Sequence, residues 1–189
     1  LKWYFQQTHH DVWDYDSAYE ALLVQRGGKD LMVHLNKSGF VVVMNKSDGA
    51  LHNVWRLVDN INSVKTIDPK SGELIERNEP VVGQRKLLCP WLLGARSWNH
   101  GAYSPKTGLW YTNTMEACNE VVSGKDSSDS LKAINALSLG IADLKTVPPP
   151  TGKALGRLVA VDPISGQQKW KVEYDIPALS SVLATAGGL

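Results

Sequence analysis

The chain has 189 residues, 43% hydrophobic and 21% charged, with a formal net charge of +1. This is the composition of a folded globular chain and excludes intrinsic disorder. Lys and Arg number 20 against 19 Asp and Glu, so the charges nearly cancel and no nucleic-acid partner is expected. In chain order, strand signals dominate. Leu1-Lys2-Trp3-Tyr4-Phe5 reads as the middle of a strand, and the apolar, aromatic run extends to Gln7. Glu20–Gln25 is a short apolar run. Asp30–Leu35 and Phe40–Asn45 flank Asn36-Lys37-Ser38-Gly39, which predicts a hairpin.

Four turns share one pattern: Asn45-Lys46-Ser47-Asp48-Gly49, Asp68-Pro69-Lys70-Ser71-Gly72, Ser104-Pro105-Lys106-Thr107-Gly108 and Asp162-Pro163-Ile164-Ser165-Gly166. Pro at the second position presets the turn, and the closing Gly tolerates positive φ. A recurring strand–turn–strand unit implies a repeat architecture, and four-stranded blades around an axis account for it. Two polar stretches interrupt the pattern. Glu120–Ser130 and Leu139–Gly156, which contains Pro148-Pro149-Pro150, are expected as surface loops. Neither marks a domain boundary.

The densest chemistry lies in Thr8-His9-His10-Asp11-Val12-Trp13-Asp14-Tyr15-Asp16-Ser17. Asp14 and Asp16 are two residues apart, so an extended backbone sends both carboxylates to one face. Two such groups repel unless a cation or shared proton lies between them. They are candidates for a metal site and a general base, or else for a solvated loop whose Asp side chains bond nearby amides. His9 and His10 are adjacent and face opposite sides, which argues against a shared metal ion. His10-Asp11 is expected as a hydrogen-bonded pair, and Trp13 as packing that orients the segment. Cys89 and Cys118 read either as buried thiols or, in an exported protein, as a bridge closing a loop of about 30 residues.

Together, several blocks in one order resemble the quinoprotein alcohol dehydrogenases, the enzymes of methanol and ethanol dehydrogenase type that use pyrroloquinoline quinone (PQQ). The blocks are His10–Asp16, Asn36–Phe40, Cys89-Pro90, Gly94-Ala95-Arg96, Ala102–Leu109 and Leu183–Leu189. The resemblance implies an all-β chain forming part of an eight-bladed β-propeller, about two blades plus partial neighbours. Residues 1–189 would then be one incomplete propeller domain, a piece of a longer protein, expected neither to bind PQQ tightly nor to turn over alone.

The resemblance further implies oxidation of a small primary alcohol to the aldehyde. The cofactors would be PQQ and a lanthanide ion, with Ca²⁺ the alternative. Asp14 matches the catalytic base and a metal ligand. Asp16 matches the extra carboxylate of lanthanide-using members, and Lys37 the basic residue that reaches the quinone oxygens. Ser97 stands where the family usually has a quinone-contacting Asn, and Trp98 is expected at the same pocket. Leu179 stands where the family usually has a Trp near the cofactor. Cys89 and Cys118 match a structural disulfide, which fits the periplasm. Trp3 and Trp170 match tryptophans that pack between blades. A c-type cytochrome is the implied electron acceptor, and a homodimer is compatible with the resemblance. Ser97 and Leu179 leave a second class open: a propeller that has lost catalysis and serves as a binding or scaffold module.

Overall fold

A computed structural model describes residues 1–17, 19–124 and 140–188. Every named element is a strand, and all paired strands run antiparallel. The first sheet is a four-stranded meander of β1 (Ala21–Arg26), β2 (Lys29–Leu35), β3 (Phe40–Asn45) and β4 (Leu51–Arg56). A second four-stranded sheet contains β8 (Ala102–Ser104), β9 (Leu109–Met115), β12 (Gly156–Val161) and β13 (Gln168–Tyr174), in the order β13-β12-β9-β8. These are the two expected blades. The chain between them forms a hairpin of β5 (Val64–Ile67) and β6 (Leu74–Arg77). It also supplies β7 (Arg85–Leu88) to a sheet with β10 (Cys118–Ser123) and β11 (Ile141–Val147).

The core explains why the two blades associate. Val24, Leu31, Val33, Leu35, Val41 and Val43 of the first blade share one buried cluster with Trp110, Val159 and Val161 of the second. Strand β3 is buried along nearly its whole length, as its continuous apolar run Phe40–Met44 requires. Arg26, at the end of β1, adds an ion pair to Asp162 and donates to the carbonyl of Gly108 at 2.8 Å.

The repeated turns are docking points for aromatic side chains. Gly49 and Gly166 have φ of +73° and +75°, and a Cβ on either would lie 2.5 Å from a Trp ring, Trp3 and Trp55 respectively. Each indole also donates to the second residue of its turn, Trp3 to Lys46 O at 3.0 Å and Trp55 to Pro163 O at 3.2 Å. Only glycine meets both demands, positive φ and close approach. Trp55 therefore joins the two blades. Trp170, expected in that role, is 43% exposed and packs near Tyr111, with ring centroids 5.9 Å apart.

Three further expectations are corrected. Residues 1–7 form no strand; their aromatic side chains dock on turns instead, Trp3 at Gly49 and Phe5 at Gly72. Leu139–Gly156 is not wholly a loop, because Ile141–Val147 is β11, paired along β10. Its alternation is masked because β11 is an edge strand with Ala142–Thr146 exposed. Pro148 then ends it. The start of the other expected loop, Glu120–Ser123, belongs to β10, while residues 125–130 lie outside the described residues.

Candidate active site

Asp11 shapes the segment that carries the acidic pair. Its carboxylate accepts the backbone amides of Trp13, at 3.0 Å, and of Tyr15. Asp11 thus serves main-chain donors and not His10, the partner expected for it. The carbonyls of His9 and His10 accept from the Arg77 guanidinium. Trp13 and Tyr15 turn inward, at 7% and 3% exposure, into a cluster with Leu88 and Val121. The Trp13 indole donates to Asn78 O at 2.7 Å, and the Tyr15 hydroxyl to Pro90 O. Inward Trp13 and Tyr15 leave Asp14 and Asp16 exposed, although the segment is no extended strand. Asp14 sits at φ +62°, a left-handed conformation that Asp tolerates better than most residues, at a cost of about 1 kcal/mol.

The β2–β3 turn is stitched to this segment. Asn36 is fully buried and donates to Thr8 Oγ1 at 2.7 Å and to Tyr15 O at 3.2 Å, while the Lys37 amide donates to Asp16 O at 3.3 Å. Lys37 is only 7% exposed, which excludes the solvated turn lysine that its position suggests. Its Nζ lies 2.9 Å from Asp14 Oδ2 and 2.8 Å from Asp16 Oδ2. The cation that the paired carboxylates need is thus supplied by the chain itself. Burial pushes the Lys37 pKa down, but its hydrogen bonds to Asp14 and Asp16 and their charges outweigh it, and the net direction is up. The group stays an ammonium.

The strand-connecting segment Gly94–Trp98 lies behind Lys37. Ala95 N donates to Lys37 O at 2.8 Å. Arg96 is fully buried, ion-paired with Glu20, bonded to Thr112 Oγ1 at 3.2 Å and stacked 5.2 Å from the Trp110 centroid. Burial lowers its pKa, and the Glu20 charge opposes that. Ser97 is 2% exposed, and its amide donates to Asn99 Oδ1 at 3.1 Å. Trp98 is 66% exposed. The structure brings Asp14, Asp16 and Lys37 together. Among the described hydrogen bonds, none joins Ser97 or Trp98 to those three.

Tyr19 stands beside both groups, and nothing in the sequence singles it out. Its ring centroid lies 5.9 Å from the Arg96 guanidinium carbon. Burial raises its hydroxyl pKa, which Ser97 and the charges of Lys37 and Arg96 oppose. Its neighbour Glu20 was equally silent in the sequence, yet it holds Arg96 and accepts the Gly101 amide at 2.9 Å. Both residues follow a run with no clear periodicity, so no pattern marks them.

The donor set fits the two implied cofactors in part. An ammonium has three N–H groups, and the two Asp contacts leave one for a quinone oxygen. Asp14 and Asp16 each spend Oδ2 on Lys37 and retain a second oxygen, the donor type that hard cations take. Among the described residues, no group of three or more His, Cys, Asp or Glu could hold a metal ion. Two carboxylates are part of such a shell, not the whole of it.

Residues 1–61 match the family described as Glucose/ethanol/alcohol dehydrogenase, beta-propeller domain (PQQ). Over its full length the chain is 31% identical to a quinoprotein ethanol dehydrogenase of Pseudomonas aeruginosa, covering 32% of that protein. The chain belongs to the quinoprotein alcohol dehydrogenase family. It is also similar to a lanthanide-dependent methanol dehydrogenase of Methylorubrum extorquens, 26% identical over 98% of this chain and 33% of that protein. A quinohemoprotein alcohol dehydrogenase structure from Pseudomonas putida HK5 superposes with a TM-score of 0.76 at 28% identity. It covers 97% of this chain and 29% of that one. The chain spans about a third of the length of the curated relatives it matches. Within this quinoprotein segment, Cys89 and Cys118 form a disulfide, both fully buried.

Proposed function

We propose that the protein containing this chain is a periplasmic alcohol dehydrogenase that oxidises a primary alcohol to the aldehyde, with Asp14 as general base. The observation that supports it is the placement of Lys37 Nζ within 2.9 Å of both Asp14 Oδ2 and Asp16 Oδ2. The ammonium holds the Asp14 carboxylate in place, and Asp14 would take the alcohol's hydroxyl proton. Asp16 shares that cation, which fixes its carboxylate beside the base. When bound, PQQ serves as hydride acceptor and a metal ion as Lewis acid. Asp14 and Asp16 would contribute carboxylate ligands to the metal, and the extra carboxylate, Asp16, would offset the third positive charge of a lanthanide, which favours it over Ca²⁺. Lys37 would reach the quinone, with Ser97 and Trp98 at the same pocket. Electrons would leave to a c-type cytochrome.

A second reading is a binding or scaffold module. It is favoured by Ser97, whose main chain is tied to Asn99, and by Leu179, 42% exposed in place of an aromatic. Dye-linked alcohol oxidation by the full-length protein, supplied with PQQ and either La³⁺ or Ca²⁺, separates the two. Turnover supports the dehydrogenase, and none with either ion supports the module.

A further inference from the structure

Asn36 precedes Lys37 in the β2–β3 turn, and its fully buried side chain spends its whole hydrogen-bonding capacity. Its Nδ2 donates to Thr8 Oγ1 at 2.7 Å and to Tyr15 O at 3.2 Å. Its Oδ1 accepts the Ser38 amide at 3.0 Å and the Ser38 hydroxyl. A primary amide has two N–H donors and an oxygen with two lone pairs, so nothing is left over for a ligand.

The two ends of this amide serve different segments. The oxygen folds back on its own turn, where Ser38 Oγ also accepts the Phe40 amide at 3.3 Å, at the start of β3. The nitrogen reaches across to the acidic segment. Thr8 opens that segment, and Tyr15 O belongs to the peptide between Tyr15 and Asp16. One side chain therefore ties the backbone that bears Lys37 to the backbone that bears both carboxylates. The main chains themselves add the bond from Lys37 N to Asp16 O at 3.3 Å, longer than the usual range of about 2.7–3.2 Å. Lysine carries its charge on a flexible four-carbon stem. Holding Nζ at 2.9 Å from Asp14 Oδ2 and 2.8 Å from Asp16 Oδ2 thus requires that its backbone be fixed relative to both.

We propose that Asn36 is a positioning residue for the alcohol oxidation, acting through Lys37: it sets the Lys37 backbone against the Asp14–Asp16 segment and so places the ammonium between the two carboxylates. The inference rests on the proposed reaction, in which Lys37 holds the base and reaches the quinone.

The test is a double-mutant cycle on the full-length protein with Asn36→Ala, Lys37→Met and both together. Asn36→Ala should lower kcat about tenfold or more and leave KM within about threefold of the parent. In the Lys37→Met background the same substitution should change kcat by less than about twofold, because the group it positions is gone. Equal losses in the two backgrounds would overturn the inference, since a residue that only supports the fold costs the same in either.

A second measurement follows Lys37 without turnover, by reductive methylation of the full-length protein in the absence of PQQ and metal, read by peptide mass spectrometry. Lys37 should react about tenfold faster in Asn36→Ala than in the parent, as a locally opened site does. Lys86, half-buried on β7 and bonded to Asn78 Oδ1 at 3.2 Å, reports general loosening. No acceleration at Lys37, or an equal one at Lys86, would overturn the inference. Should Asn36→Ala fail to fold, Thr8→Val, which removes one acceptor of the Asn36 amide, carries the same comparison. If no alcohol is oxidised yet Lys37 alone is opened, the dehydrogenase reading fails while the placement of Lys37 by Asn36 stands. If alcohol is oxidised and Lys37 stays protected, the reverse holds.

Discussion

The backbone of Gly94 lies against the side chain of Lys37 so closely that a Cβ on Gly94 would stand 2.4 Å from Lys37 Cβ. Gly94 also has φ +83°, where any other residue is strained. This glycine therefore sets how far Lys37 can be pushed toward Asp14 and Asp16. Gly94→Ala should displace Lys37 and lower alcohol oxidation at least about tenfold, a loss of roughly 1.4 kcal/mol of transition-state stabilisation. Steady-state kinetics on the full-length enzyme checks this, with thermal melting to confirm that the protein is folded.

Lys37→Met removes the cation between two carboxylates that then face one another unpaired. Their mutual repulsion displaces Asp14 from its position beside Asp16. The expected outcome is a kcat loss within about 10²–10⁴, the range of general-base assistance, read by steady-state kinetics on the full-length enzyme. An unchanged kcat would disconnect Lys37 from the base.

Asp16→Ala separates the two carboxylates by role. Asp14 keeps its contact with Lys37, so circular dichroism and melting should match the parent. La³⁺-dependent activity should be abolished, since a trivalent ion loses one anionic ligand. An unchanged La³⁺ response would return Asp16 to a solvated acid paired with Lys37.

Tyr15 predicts a loss of stability in alkali. Its buried hydroxyl donates to Pro90 O, and its pKa is raised well above the usual value, first by desolvation and then by the Asp11 charge. The unfolded side chain titrates near pH 10. The folded state holds its proton longer, so this contribution is complete below about pH 10 and is lost as pH rises toward the folded value. Urea midpoints should fall as pH rises above about 10, and Tyr15→Phe should flatten that fall.

Replacing both Cys89 and Cys118 by Ser opens a loop with a sequence separation of 29. The chain-entropy model puts the cost at about 3–4 kcal/mol. Strand β10 begins at Cys118, and the amide of Trp91, two residues after Cys89, bonds Ala117 O at 2.9 Å. The damage should therefore concentrate in the β7–β10–β11 sheet. Hydrogen exchange should show lost protection there before the four-stranded sheets.

Local pattern determined much of this protein. The β2–β3 hairpin and the repeated turns follow from period-two alternation and turn chemistry, which act over a few residues, whereas Asp14 meets Lys37 through a left-handed backbone that no alternation predicts. Strand β11 escaped because an edge strand with an exposed run and a Pro-rich tail looks like a loop until its partner is known. The strand expected at residues 1–7 failed for the opposite reason, since Trp3 and Phe5 are apolar to dock on distant glycines and not to pair. Tertiary structure alone decided that Lys37 is buried between Asp14 and Asp16, that Tyr19 stands near them, and that Glu20 holds Arg96. Such ion pairs and contacts join residues far apart in the chain, and their energies depend on burial and distance, which no stretch of residues encodes by itself.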